Sequence, residues 1–289
     1  MIQYLKRNKI DIELYDACIQ KSMNSRVYAF SWYLDCVADN WDVLVLNNYE
    51  AVMPLPWRRK IRLKYLYPPA WTQQLGIFSK ENISEKLVLD FLDSIPKKFI
   101  KITVQLNSEN SCSLLELEEK TNFILPLNTP KSELIKGFNK NRKRALKRAK
   151  ATSFQIEKNI NLTTFLNFYL GEDKDYELTL NQIETLNNLL KSNHKSIHVW
   201  GVKIDNQLVT GFVWLKSANR ITYLLPIATL EAKQKGLPTL LISELINEFS
   251  NSEMILDLEG SMIKGVADFY KSFSAKKEVY YNFLKYNFL

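Results

Sequence analysis

Apolar residues recur along the chain at two spacings, and these divide it into strands and helices. Runs of apolar and β-branched residues read as strands at Trp41-Asp-Val-Leu-Val-Leu46, Ala51–Trp57, Phe99–Leu106, Ser196–Ile204, Gln207–Lys216 and Ile221–Thr229. Asn47-Asn48 and Asp205-Asn206 supply hairpin turns, while Pro54 and Pro56 make their arm an edge strand or an interrupted one. Met254-Ile-Leu-Asp-Leu-Glu259 alternates, so Asp257 and Glu259 are expected to share a face opposite Met254, Leu256 and Leu258. Helical spacing covers Asp11–Gln20, Ser25–Ala38, Ser84–Ser94, Thr163–Leu170 and Leu180–Ser192. A helix opens at Leu237-Pro-Thr, where a proline in the first turn forfeits no hydrogen bond, and Leu241, Leu245 and Phe249 form its buried stripe. Val266, Phe269, Tyr270 and Phe273 share one side of a last helix, and the aromatic stretch from Glu278 reads as strand that closes the sheet.

The order of elements recurs. Trp41-Asp-Val-Leu-Val-Leu-Asn47 resembles Trp200-Gly-Val-Lys-Ile-Asp-Asn206, and Tyr65-Leu-Tyr-Pro-Pro-Ala70 resembles Tyr223-Leu-Leu-Pro-Ile-Ala228 at almost the same offset. Val104-Gln-Leu-Asn-Ser-Glu109 then lies over Leu256-Asp-Leu-Glu-Gly-Ser261. Three matches in order at nearly constant offset imply a tandem duplication. Only the second copy carries carboxylates, Asp257 and Glu259, where the first has Gln105 and Asn107.

Charge adds a feature that periodicity misses. Lys131–Lys150 holds nine Lys or Arg against one Glu, which equals the formal net charge of +8 of the whole chain. A helix beginning at Thr129-Pro-Lys-Ser would bury Leu134, Phe138, Ala145 and Ala149 and project Lys140, Arg144, Lys147 and Arg148. Such a run is either a solvated face or a surface for a phosphate-bearing partner. The loop Leu230-Glu-Ala-Lys-Gln-Lys-Gly236 offers a second anion site. There Lys233 and Lys235 precede Gly236, and the N–H groups at Leu237 and Thr239 open a helix. An ordinary strand-to-helix turn would look the same.

Other chemistries find little support. His194 and His198 lack Cys or carboxylate companions at ligand spacing, so no metal site and no His-based triad is expected. Cys18, Cys36 and Cys112 are odd in number and far apart, which suits reduced thiols. The N-terminus lacks the apolar core of a signal peptide and no segment is apolar enough to insert stably in a bilayer, so a cytoplasmic location is expected.

Strand, loop, helix, strand and a helix with Tyr resemble the acyl-CoA N-acyltransferase (GNAT) fold. Two such units joined by Asn139-Lys-Asn-Arg-Lys-Arg-Ala-Leu-Lys-Arg-Ala149, with the ending Asp257-Leu-Glu-Gly-Ser-Met-Ile-Lys-Gly-Val-Ala-Asp-Phe-Tyr-Lys-Ser-Phe273, are similar to the FemA/FemB/FemX family. The resemblance implies an α/β (α+β) fold of two tandem GNAT-like domains, each a mixed, mostly antiparallel sheet flanked by helices. The expected divisions are a non-catalytic domain at 1–128, a basic helical connector at 129–151 and a catalytic candidate at 152–289.

It further implies transfer of an acyl or aminoacyl group from acyl-CoA or aminoacyl-tRNA to a small-molecule or peptide amine. Donor binding would then fall on Leu225, Ile227 and Ala228 along the strand edge and on Lys233, Lys235, Gly236, Leu237 and Thr239 at the loop. Tyr270 takes the place of the acid that protonates the leaving group, and Asp257 or Glu259 would accept the amine's proton. Tyr270 is equally readable as a core aromatic, and the carboxylates as a pair flanking the sheet. One departure bears on the donor: Pro238 removes an N–H that would face a pyrophosphate. The rival function is an inert binding module whose basic helix holds RNA or another polyanion.

Overall fold

Polar residues that precede apolar stripes cap the helices. Asp11 accepts from the Leu14 N–H, Ser84 from Leu87 and Asn139 from Arg142, and Thr179 forms a reciprocal capping box with Gln182. The computed structural model describes residues 1–174, 176–260 and 262–287. In chain order the elements begin with β1 (Ile2–Lys6), α1 (Ile12–Lys21), α2 (Ser31–Val37), β2 (Trp41–Leu46), β3 (Ala51–Lys60), β4 (Leu63–Leu66), β5 (Phe78–Ser79), α3 (Glu85–Asp93) and β6 (Phe99–Leu106). Next come β7 (Glu118–Pro126), α4 (Lys131–Gly137), α5 (Lys140–Lys150), β8 (Gln155–Glu157), α6 (Leu162–Gly171) and α7 (Leu180–Lys191). The chain ends with β9 (Ile197–Ile204), β10 (Gln207–Ser217), β11 (Arg220–Ala228), α8 (Leu230–Lys235), α9 (Leu237–Phe249), β12 (Ile255–Asp257), α10 (Lys264–Lys271) and β13 (Lys276–Tyr286).

The chain forms two compact units. One comprises Met1–Thr121, Thr179–Ser192 and the chain from Glu278; the other comprises Asn122–Leu178 and Asn193–Lys277. Strands in the first run in the order β1-β2-β3-β4-β6-β13, with β5 against β3. In the second they run β8-β9-β10-β11-β12-β7. Both orders are antiparallel except for one parallel pair, β4 with β6 and β11 with β12. The matched sequence segments therefore fall on corresponding strands.

Four placements differ from the sequence-based expectation. The final strand is exchanged between units: β7 follows β6 in sequence but pairs with β12, and β13 follows β12 but pairs with β6. Helix α7 clusters with the first unit, where its Gln182 carbonyl accepts from the Trp71 indole at 3.0 Å. Residues 179–192 and the chain from Glu278 therefore leave the expected 152–289 block. The stretch 25–38 is not one helix but a 3₁₀ turn at Val27–Ala29 followed by α2. The helix expected from Thr129 is two, α4 and α5, parted where Phe138 ends one and the Asn139 side chain caps the other.

Each unit has its own core. In the first, Leu44, Met53, Leu55, Phe91, Phe99 and Val104 pack together; in the second, Phe138, Trp200, Phe212, Leu241, Leu256 and Phe273 do so. Pro54 and Pro56 sit in the interior of the first sheet's order, but past the reach of β5 and before β3 meets β4 at Trp57. Both prolines still pair with β2, and the Pro56 carbonyl accepts from the Tyr67 N–H at 3.2 Å; the bond Pro56 cannot return marks where the β3–β4 ladder stops.

Candidate active site

Strands β11 and β12 run side by side only from Arg220–Thr222 against Ile255–Asp257. Beyond that point β12 stays with β7, the Leu258 N–H donating to the Phe123 carbonyl, while β11 continues with β10 only, to Ala228. A bulge reinforces the parting. Leu225 and Pro226 together oppose Phe212, and Leu225 takes φ +54°, a left-handed backbone that few non-glycine residues adopt. The β12-facing edge of Leu225, Ile227 and Ala228 is thus a strand edge without a ladder partner among the described residues, suited to pairing with an extended ligand.

The two carboxylates part company. Asp257 is fully buried and ion-paired to Arg220 at 2.6 Å; its other oxygen accepts from the Asn122 amide and the Glu259 N–H, both at 3.0 Å. Both oxygens of Asp257 are thus engaged, and the carboxylate braces β11, β7 and the turn at Glu259. Glu259 does not continue the strand: β12 ends at Asp257 and Glu259 adopts φ +55°. The expected shared face is therefore replaced by a turn that the Asp257 bond holds in place.

Tyr270 lies on the buried side of α10, edge-on to Tyr223 at 6.3 Å between ring centroids, with Phe269 and Phe123 beside it. Burial, and then the charges of Glu259, Tyr176 and Asp257, push its phenol well above the usual value, so it stays protonated at neutral pH. Tyr169 is raised in the same way, by burial and by its 2.8 Å hydroxyl contact with Tyr176, with a further contribution from Glu259. One carboxylate thus acts on two phenols. Helical spacing in the sequence placed the Tyr270 ring with the core, but gave no sign of Tyr169, Tyr176 or the Arg220 and Asn122 contacts to Asp257, whose members lie far apart in sequence.

The expected anion loop is not a loop. Leu230–Lys235 is the helix α8, capped by Thr229, whose hydroxyl accepts from Ala232 N–H, and ended by Gly236 at φ +79°. Gly236 is buried against α5: a Cβ there would lie 2.4 Å from the Ala145 carbonyl oxygen. The glycine thus permits close approach of a helix rather than of a ligand. Lys235 pairs with Glu231 at 2.5 Å and Lys233 is exposed. Leu237 and Thr239 are buried, and the Thr239 hydroxyl accepts from Arg142 of α5 at 2.8 Å. Gly236→Ala combines a forbidden backbone with a backbone clash, so it should lower unfolding free energy by about 3 kcal/mol in denaturant titration; a loss below about 1 kcal/mol would show that α5 is not held there.

Helix α5 buries Ala145, Leu146 and Ala149 and leaves Lys140, Arg144, Lys147 and Arg148 exposed, with Arg148 Nε donating to the Gln234 carbonyl at 3.1 Å. Arg142, not singled out from sequence, stands half-buried over the Phe269 ring at 4.7 Å. It has no carboxylate partner among the described residues, and its Nε is buried without one. Its cation also faces the positive end of α9, so the spot favours an anion. Among the described residues no cluster suits a metal, and His198 stacks on Trp214 at 4.0 Å.

No family model and no curated protein sequence matches this chain. Solved structures do. FemX superposes with a TM-score of 0.72 at 12% identity, covering 99% of this chain and 98% of its own. L-PGS from Bacillus licheniformis gives 0.59 at 12% identity over 96% and 92%. A tandem GNAT protein from the clavulanic acid biosynthesis pathway gives 0.55 at 9% over 98% of each chain. From end to end, this chain has the Fem/GNAT-like fold.

Proposed function

We propose that this protein transfers an aminoacyl group from aminoacyl-tRNA to an amine, with the second unit as the reacting unit. The observation that carries the choice of donor is α5 seated on Gly236. It covers the junction where a coenzyme A pyrophosphate would lie and turns a row of Lys and Arg outward from the same place. The neighbours named FemX and L-PGS agree with such a transfer. An acyl-CoA donor is the second reading, supported by the free β11 edge and the GNAT neighbour.

In this mechanism the acceptor nitrogen attacks the ester carbonyl and a C–N bond forms as the C–O bond breaks. Glu259 takes the proton lost by the amine, directly or through a water, and Tyr270 gives its phenolic proton to the departing ribose oxygen. A phenol held above its usual value is a better match for an alkoxide than for the less basic thiolate of a thioester. Arg142 and the exposed face of α5 would hold phosphates of the carrier.

Native mass spectrometry of the full chain with acetyl-CoA, longer acyl-CoAs and charged tRNA tests the donor. A tRNA complex without acyl-CoA retention is expected. Its affinity should fall steeply with salt, and Lys143→Ser/Arg144→Ser/Lys147→Ser should flatten the logarithmic salt slope by about 2 to 3. Retention of acyl-CoA alone, or tRNA binding indifferent to salt, would remove this donor.

A further inference from the structure

The β3–β4 hairpin carries a feature that the transfer reaction does not use. Its seven residues Arg58-Arg-Lys-Ile-Arg-Leu-Lys64 include five cations and no acid. Arg58 is committed to Asp39 at 2.9 Å and Lys64 lies over the Trp57 ring at 3.9 Å, whereas Arg59, Lys60 and Arg62 are exposed. At the tip Ile61 is 86% exposed, and Leu63 beside it is 42% exposed.

The turn geometry makes Ile61 unusual. Ile61 and Arg62 have φ +45° and +68°, nearly the same as Asp205 and Asn206 in the β9–β10 turn at +48° and +62°. Such primed turns favour Asn, Asp or Gly, and a β-branched residue with positive φ is an outlier. The β9–β10 turn obeys that preference and the β3–β4 turn does not. Folding gains nothing from an aliphatic side chain held in solvent on a strained backbone. The hairpin's base adds charge, because Lys6 and Lys64 lie close enough to Lys98 to lower its affinity for a proton, behind burial and against Asp42, which raises it.

An aliphatic tip ringed by cations matches one partner chemistry, the surface of an anionic bilayer, where lipid phosphates meet the cations and the acyl boundary accepts the aliphatic group. A nucleic acid backbone would satisfy the cations but offers no partner to Ile61. We propose that the β3–β4 hairpin docks this protein reversibly on anionic lipid, with Ile61 and Leu63 entering the headgroup boundary. Contacts this few give weak, salt-sensitive binding rather than anchorage.

Flotation of the full chain with vesicles of phosphatidylcholine alone, or with phosphatidylglycerol added, tests the proposal. Binding only to the anionic vesicles is expected. Arg59→Ser/Lys60→Ser/Arg62→Ser should weaken it on the order of a hundredfold, from about fivefold per charge. Ile61→Ser should weaken it by about fivefold or more at unchanged net charge. Lys147→Ser/Lys150→Ser on α5 should leave it largely intact, which separates the two basic surfaces. The proposal is overturned if the hairpin variants float like the parent, if Ile61→Ser has no effect while the charge variant does, or if the α5 variant abolishes flotation. It is also overturned if the hairpin variants weaken tRNA binding and no vesicle binding is seen. All the hairpin positions changed are exposed, and unchanged thermal unfolding checks that the fold persists.

Discussion

Tyr270→Phe is expected to lower kcat for transfer by roughly 10²- to 10⁴-fold, the range for loss of a positioned general acid. Donor affinity should stay within a few-fold, because the phenol hydroxyl makes no hydrogen bond to another described residue that its loss would break. The ring contacts with Tyr223, Phe269 and Phe123 survive the substitution, so unfolding should move little. The pH profile supplies an independent check. Burial comes first among the causes that raise this phenol, with Glu259 next, so the alkaline fall in rate should lie well above the ordinary tyrosine range near 10. The assay is single-turnover transfer with the donor retained in the mass spectrometric experiment. A variant with undiminished kcat would make Tyr270 a core aromatic and nothing more.

The second large effect concerns stability. Arg220→Met leaves Asp257 charged, fully buried and without its ion-pair partner, and should cost about 3–5 kcal/mol of unfolding free energy. The double change Arg220→Met/Asp257→Leu removes both charges and should recover much of that loss, since a buried pair is itself expensive to desolvate. Denaturant unfolding of the two single variants and the double variant measures this directly. The same series separates a brace from a base. If Asp257 accepted the amine's proton, Asp257→Asn would stop turnover with little loss of stability; the geometry predicts a large stability loss. Any rate loss should follow displacement of Glu259, whose N–H the Asp257 carboxylate holds.

These expectations differ in how far residues alone reached them. The stripe of Val266, Phe269, Tyr270 and Phe273 is local, and the ring of Tyr270 was legible because helical spacing places it with the core. Even the α8 helix left a local trace: Leu-Glu-Ala-Lys-Gln-Lys are good helix formers between a Thr cap and a Gly stop. Reading that stretch by the polarity of its lysines as a loop hid the trace. The surroundings of Asp257 were hidden for a different reason. Alternation put it on a polar face with Glu259, but Arg220, 37 residues earlier, converts that polar position into a buried pair.

What the chain determined by itself was the kind and order of its elements, because caps, turns and apolar spacing act over a few residues. It also placed the excess charge on the single stretch Lys131–Lys150, which the structure divides into α4 and α5. Tertiary structure alone decided that β7 and β13 would exchange places, that α7 would join the first unit, and that Ala145 would close over Gly236. Strand edges and apolar stripes pair wherever complementary surface can be buried. Partners this far apart in the chain leave no periodic mark in either segment.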